Sequence, residues 1–314
     1  MLDVIVNPAG AGGKARGIAN EVEEYLLKRD ARYRFIYTEK AHAVDNILSD
    51  LCKEKDKVNA MIIGGDGSFN EAVNGIDPAK DVRIGIIPCG SGNDLARSLG
   101  ISRNIRELTA QCMEGNIRRV LDVAKVTFHT AYNEKDEPID LEKKERYFNI
   151  SCGAGFDAEV CARVDGVKNT LNKAGLGSAA YIATAVQIVH EKKRFKAKIQ
   201  CDGHETSYNE VFFAAVMNQP YEGGGFKFCP DAAGYDEILD LCVGDHLSTP
   251  DFFKIFPHAY NGSHTRYEGV HIDKGKIFRI TTDTPVYIHT DGETFCKSTD
   301  ITVTLAERKL QLLD

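Results

Sequence analysis

Three apolar runs near the start of the chain each end in a glycine-rich turn. Val4-Ile5-Val6 leads into Asn7-Pro8-Ala9-Gly10-Ala11-Gly12-Gly13, Met61-Ile62-Ile63 into Gly64-Gly65-Asp66-Gly67-Ser68, and Ile84-Gly85-Ile86-Ile87 into Pro88-Cys89-Gly90-Ser91-Gly92-Asn93-Asp94. Glycine lets backbone N–H groups approach a ligand closely and point the same way. A helix that starts just beyond adds its positive end, and both effects favour phosphate. In an open parallel sheet the carboxyl ends of the strands line one edge, where ligands bind. The three turns would then converge on one ligand that carries phosphates.

The first turn approaches two known phosphate motifs. A P-loop needs Gly at position 8 and Ser or Thr at 15, where the chain has Pro8 and Ala15. Gly10-x-Gly12-x-x-Ala15 does match the dinucleotide fingerprint, and Glu39 lies near the place of a ribose-binding acid. That reading, an NAD-dependent oxidoreductase, leaves the other two glycine clusters without a role.

The elements that would carry these turns alternate through the first 120 residues. Strand-like runs over 4–6, 33–37, 60–63 and 83–87 are separated by helix-like segments, which predicts a Rossmann-like α/β nucleotide-binding domain with a parallel sheet over residues 1–123. Beyond Leu121 longer strand-like runs predict a second, mainly antiparallel β-sandwich domain over 124–304, with 305–314 able to return to the first. The 314 residues fit two domains. A net charge of −7 disfavours a nucleic-acid partner, which needs a basic face. The nine cysteines form no C-x-x-C pair and read as reduced thiols. The first residues lack the charged and apolar regions of a signal peptide, so the expected location is cytoplasmic.

Taken together, Asn7-Pro8-x-Gly10-Ala11-Gly12, Gly64-Gly65-Asp66-Gly67-Ser68-x-Asn70-Glu71, Gly90-Ser91-Gly92-Asn93-Asp94 and Asp291-Gly292-Glu293 resemble the diacylglycerol and sphingosine kinase catalytic-domain family, in its soluble bacterial form. The resemblance implies an ATP-dependent, Mg²⁺-requiring lipid kinase that phosphorylates a hydroxyl of diacylglycerol or a related lipid alcohol, working in a cleft between its domains. It implies nucleotide-binding roles for Asn7, Pro8, Ala9, Gly10, Ala11, Thr38, Gly64, Gly65, Asp66, Gly67, Ser68, Phe69, Asn70 and Ser91. Asp66 suits Mg²⁺ rather than phosphate; its alternative role is to cap the helix expected near Ser68. Asp291 corresponds to the family's general base toward the acceptor hydroxyl, with Glu293 orienting it or sharing the metal. The glycine logic is shared by NAD kinase-like soluble kinases, which differ in the acceptor.

The resemblance also implies a structural Mg²⁺ site in the second domain, here reduced to Asp236 and the carbonyl of Ile238, because Ala233 stands at the first ligand position. Asp231 and Asp240 are candidate substitutes. A lipid acceptor needs an apolar groove, for which Phe156, Leu176, Tyr181, Phe212, Phe213, Tyr221 and Phe226 are candidates, as they are for core. Gly223-Gly224-Gly225 reads as a lid over the acceptor or as a plain connection. Lys192, Lys193, Arg194, Lys196 and Lys198, with Phe195 available to insert, would suit peripheral contact with an anionic inner membrane face. A homodimer is left open.

Overall fold

The computed structural model describes residues 1–8, 13–39, 43–165, 177–191 and 193–314, without the side chains of 165 and 177–182. The chain forms two compact units, one of Met1–Asp122 with Glu307–Asp314 and one of Val123–Ala306.

The first unit alternates β1 (Leu2–Val6), α1 (Ala15–Leu27), β2 (Tyr33–Tyr37), α2 (Val44–Glu54), β3 (Lys57–Gly64), α3 (Asp66–Gly75), β4 (Asp81–Pro88), α4 (Asp94–Leu99) and α5 (Ile105–Glu114). β1 lies between β2 and β3, and β3 pairs β4, all in parallel. All five residues of β1 are buried, as expected of a parallel strand covered on both faces. In α1 the buried residues Ala15, Ala19, Val22 and Leu26 recur at helical spacing and form one stripe. Asn104 starts α5 by accepting the Arg106 and Glu107 N–H groups.

The free edge of β4 is covered by the chain's last strand, β15 (Glu293–Leu312), whose Gln311 and Leu312 pair in parallel with Arg83 and Ile84. The guanidinium of Arg308 donates to the carbonyls of Val73 and Ile76 at 2.8 Å each, satisfying the C-terminal end of α3. Lys309 pairs with the buried Asp122. Leu312 is fully buried, so Leu312→Ala should cost about 2–5 kcal/mol, read as a lower denaturant midpoint with an unchanged slope.

The second unit holds β5 (Arg119–Phe128, from Val123), β6 (Glu145–Phe148), β7 (Ser151–Gly155), α6 (Phe156–Asp165), α7 (Gly177–Glu191), β8 (Phe195–Cys201), β9 (His204–Met217), β10 (Tyr221–Glu222), β11 (Phe226–Lys227), β12 (Leu239–Asp245), α8 (Thr249–Ile255), β13 (Val270–Gly275), β14 (Ile277–Thr290) and β15 as far as Ala306. Its ladders are antiparallel. Among the described residues the strands are therefore mixed, with parallel pairing in β1–β4 and at the end of β15.

Two apolar clusters fill this unit. Phe148, Phe278, Ile280 and Val303 anchor one. The other gathers Phe156, Phe212, Phe213 and Phe252, with Phe156 stacked on Phe212 at 4.3 Å. Three aromatics expected as groove lining, Phe156, Phe212 and Phe213, are thus core, while Tyr221 and Phe226 are half-buried; Leu176 and the side chain of Tyr181 lie outside the described residues.

The reading of Phe195 as a membrane-inserting residue is corrected. β8 alternates buried and exposed residues, and Phe195 is on the buried side with Ala197, Ile199 and Cys201. Lys196 and Lys198 face solvent, Lys193 pairs with Glu159 at 2.6 Å, and Lys192 is outside the described residues. β8 also pairs on both sides, with β9 and β14, so its lysines do not guard a free edge. Among the described residues no helix is long and apolar enough to cross a membrane. All nine cysteines are free thiols.

Candidate functional site

In the first unit the strand register brings the glycine turns side by side. Val6 is level with Tyr37 and Ile63, and Gly64 is level with Pro88, so Asn7, Thr38, Gly65 and Cys89 leave the sheet at one edge. The Asn7 side-chain amide donates to Ser68 Oγ at 3.2 Å, tying the first turn to the second. The second and third turns touch through bare backbone. A Cβ on Gly65 would lie 2.9 Å from Gly90 Cα, and one on Gly90 would lie 2.7 Å from Gly65 Cα. Only glycine at both positions permits this approach.

Asp66 reinforces that contact. Helix α3 begins at Asp66 itself, not near Ser68, and its carboxylate does not cap that helix. It accepts the N–H groups of Asp94 at 3.0 Å and Leu95 at 3.2 Å, in the first turn of α4. Asn93, with φ +51°, folds the third turn back by accepting the Gly90 N–H at 2.8 Å and donating to the Gly90 carbonyl at 2.7 Å. Burial pushes the Asp66 carboxyl above its ordinary pKa, against the pull of the Asp94, Leu95 and Asn93 N–H groups and of Arg97. A Cβ on Gly92 would sit 3.2 Å from an oxygen of both Asp66 and Asp94, so two carboxylates crowd this turn and Arg97, paired with Asp94, balances one of them.

The other residues expected at a nucleotide fall as follows. Asn7 and Pro8 are half-buried, Thr38 is buried and Ser91 is exposed. Ser68, Phe69 and Asn70 are buried within α3, so Phe69 and Asn70 support the turn from beneath. Ala9, Gly10 and Ala11, with Gly12, lie outside the described residues.

In the second unit Asp291 and Gly292 form the two-residue turn of the β14–β15 hairpin, with Thr290 opposite Glu293. Their φ angles of +49° and +83° are those of a type I′ turn, for which Asp-Gly is favoured. The Asp291 carboxylate accepts three backbone N–H groups: Ile150 at 2.8 Å and Ser151 at 3.0 Å on Oδ1, and Asn149 at 3.0 Å on Oδ2. Its own N–H donates to the Ser151 carbonyl at 3.0 Å. The carboxylate is thereby held in one orientation, and Glu293 beside it is half-buried.

Sequence reasoning passed over His289, which lies on β14 two residues before Asp291. Its fully buried ring has Nε2 2.9 Å from Glu222 Oε1 and 3.2 Å from Asp157 Oδ2, while Nδ1 accepts the Gly292 N–H at 3.1 Å. Burial lowers the pKa of this ring, but Glu222, Cys161 and Asp157 together raise it well above the usual histidine value. The three side chains have the composition of a metal site. The hydrogen bonding opposes that use: a ring that accepts at Nδ1 carries its proton on Nε2, the atom a metal would need.

The residues implied for the structural Mg²⁺ site have local partners of their own. Asp236 is exposed and accepts the N–H of Ile238 at 3.1 Å, closing a local turn. Asp231 is exposed, and the buried Asp240 pairs with Lys274 Nζ at 3.0 Å. The Lys274 ammonium supplies the positive charge at this acidic loop.

Two family models match the chain in order. Residues 1–126 match the diacylglycerol kinase catalytic domain, and residues 150–313 match the YegS C-terminal NAD kinase beta sandwich-like domain. A diacylglycerol kinase of Mycobacterium tuberculosis is 24% identical over 297 residues, covering 94% of this chain and 89% of that protein. One of Staphylococcus aureus is 27% identical over 299 residues, covering 92% and 85%. A crystal structure of a diacylglycerol kinase from Bacillus anthracis superposes with a TM-score of 0.69 at 19% identity over 99% of this chain and 96% of that one, which shows the same fold. With both of its units matched in order, the chain belongs to the diacylglycerol kinase catalytic-domain family of lipid kinases.

Proposed function

We propose that this lipid kinase transfers the γ-phosphoryl group of ATP to a hydroxyl of diacylglycerol or a related lipid alcohol. The observation that carries the phosphate-binding half of the reading is the backbone contact between Gly65 and Gly90, which sets two glycine turns side by side at the sheet edge where N–H groups can meet phosphate oxygens. Asn7, Thr38 and the Gly64–Ser68 turn hold the nucleotide, and Ser91 offers an exposed hydroxyl beside them. Phosphoryl transfer relies chiefly on positioning and charge stabilisation. Asp66 and Asp94, with Arg97 paired to Asp94, leave this edge acidic, which suits the arrival of phosphates together with Mg²⁺. When bound, Mg²⁺ neutralises phosphate charge, and Asp66 is the carboxylate that would hold it.

Asp291 takes the proton of the attacking hydroxyl. Its three backbone bonds fix the carboxylate so that no reorientation is needed during transfer. Glu293, next in the hairpin, supports that orientation.

The test is transfer from γ-labelled ATP with Mg²⁺ to diacylglycerol, monoacylglycerol and sphingosine in mixed micelles, with NAD as a soluble acceptor. Label in a lipid supports the reading and names the acceptor. Label in NAD alone overturns it in favour of a soluble-acceptor kinase, and hydride transfer with NAD in place of phosphorylation would mark an oxidoreductase.

A further inference from the structure

The buried cluster around His289 contains two opposed demands. The Gly292 N–H points at Nδ1, which must keep a lone pair to accept it at 3.1 Å, a bond that requires the neutral ring with its hydrogen on Nε2. That one hydrogen faces two carboxylates, Glu222 at 2.9 Å and Asp157 at 3.2 Å. Glu222 Oε2 is buried without a hydrogen-bond partner. The site is closed tightly: a Cβ on Gly153 would come 1.9 Å from Asp157 Oδ2 and 2.3 Å from His289 Nε2. Carboxylates that close favour the imidazolium, whose Nδ1–H would confront the Gly292 N–H and break the bond that holds the turn.

Glu222 is also the root of a hairpin. β10 and β11 pair through Glu222 and Phe226, and between them Gly223, Gly224 and Gly225 all take positive φ, at +66°, +86° and +120°. Gly223 and Gly224 are exposed whereas Glu222 is buried, so a run of three positive-φ glycines leads directly to the carboxylate that touches His289.

We propose that His289 is a positioning residue, which fixes the Asp291–Gly292 turn through Nδ1 and couples that turn to the glycine hairpin through Glu222. Movement of the hairpin that withdraws Glu222 removes one of the carboxylates favouring the imidazolium. The neutral ring and its bond to Gly292 then persist to lower pH. With Glu222 in place, protonation of His289 releases Gly292 and so removes one of the bonds that fix the Asp291–Gly292 turn. The groups whose charge reaches the ring are Asp157 and Cys161 from α6, Glu222 from β10 and Cys152 from β7. Its importance for phosphate transfer rests on the role proposed above for Asp291; the coupling itself does not.

The test uses the full chain, labelled with ¹⁵N, as wild type, Glu222→Gln, His289→Asn and His289→Leu. Long-range ¹H–¹⁵N spectra read the ring tautomer and the Gly292 amide through a pH titration. The wild type should show the Nε2–H tautomer at high pH, with ring and Gly292 amide titrating together. Glu222→Gln should shift that joint transition to lower pH. In His289→Asn the side-chain oxygen takes the place of Nδ1, so the Gly292 amide should stay hydrogen-bonded throughout.

In the transfer assay His289→Leu should lower kcat at least tenfold with KM for ATP unchanged. His289→Asn should recover most of kcat and lose the acidic limb of its pH profile. A Gly292 amide that does not follow the ring, or a transition unmoved in Glu222→Gln, overturns the proposal. The same holds if His289→Asn is as inactive as His289→Leu, and if the leucine variant does not fold, the wild-type and Glu222→Gln titrations decide. Joint titration without phosphorylation of any lipid would leave the coupling standing and refute the lipid kinase assignment instead.

Discussion

Asp291→Asn should lower phosphate transfer by about 10²–10⁴-fold, the range a positioned general base supplies, and should also lower the melting temperature. The second effect follows from the hydrogen bonding. Asn149, Ile150 and Ser151 all donate to the native carboxylate. An asparagine oxygen placed at Oδ1 can still accept from Ile150 and Ser151, but its NH₂ group then faces the N–H of Asn149. Leaving a buried donor in that position costs about 1–3 kcal/mol. ATP affinity should be unchanged, because the glycine turns belong to the first unit and make their contacts there. Calorimetric titration with ATP, a thermal melt and the transfer assay on one preparation check all three. Wild-type turnover with the lowered melting temperature would remove Asp291 from the chemistry and leave it a turn residue. Asp291→Glu provides a second variant, since it keeps the charge and displaces it by one methylene.

Gly90→Ala should weaken ATP binding by tenfold or more, equivalent to about 1.4 kcal/mol. The new methyl group would lie 2.7 Å from Gly65 Cα, and backbone on both sides cannot rotate away as a flexible side chain would. The second and third turns must separate, and the bonds from Asp94 and Leu95 to Asp66 lengthen with them. Gly17→Ala is the control. It lies in α1 with nothing within 4 Å of the added methyl, and it should raise stability by about 0.5–1 kcal/mol because glycine is a poor helix former. Unaltered ATP affinity in Gly90→Ala would refute the nucleotide site at this edge.

The alternation of strands and helices in the first unit was legible because each signal is short: an apolar run, a glycine turn, a helical stripe. The burial of Phe195 was legible too, since Phe-Lys-Ala-Lys-Ile-Gln-Cys alternates with period two; the lysines drew attention to the charged face and away from the buried one. What could not be read was which distant backbone each carboxylate would meet. Asp66 read as a Mg²⁺ partner or as the cap of a helix near Ser68, yet its carboxylate meets the start of a helix 28 residues further on. Asp291 accepts from N–H groups about 140 residues earlier. His289, Asp157 and Glu222 come from three separate elements, and no local pattern announces their meeting. Such contacts are set by sheet register and loop closure, for which a single sequence carries no short-range signal.

The return of Glu307–Asp314 to the first unit has a consequence for biosynthesis. β4 ends at Pro88, but the residues that cover its edge are Gln311 and Leu312. At about 5–20 residues per second a ribosome needs roughly 10–45 s to pass from one to the other. During that interval the nascent chain holds an uncovered parallel edge at Arg83 and Ile84, the kind of edge that invites pairing with other chains. The N-terminal unit should therefore acquire full protease resistance only once Gln311 and Leu312 have been made and have paired with β4, and chaperone engagement should persist until then.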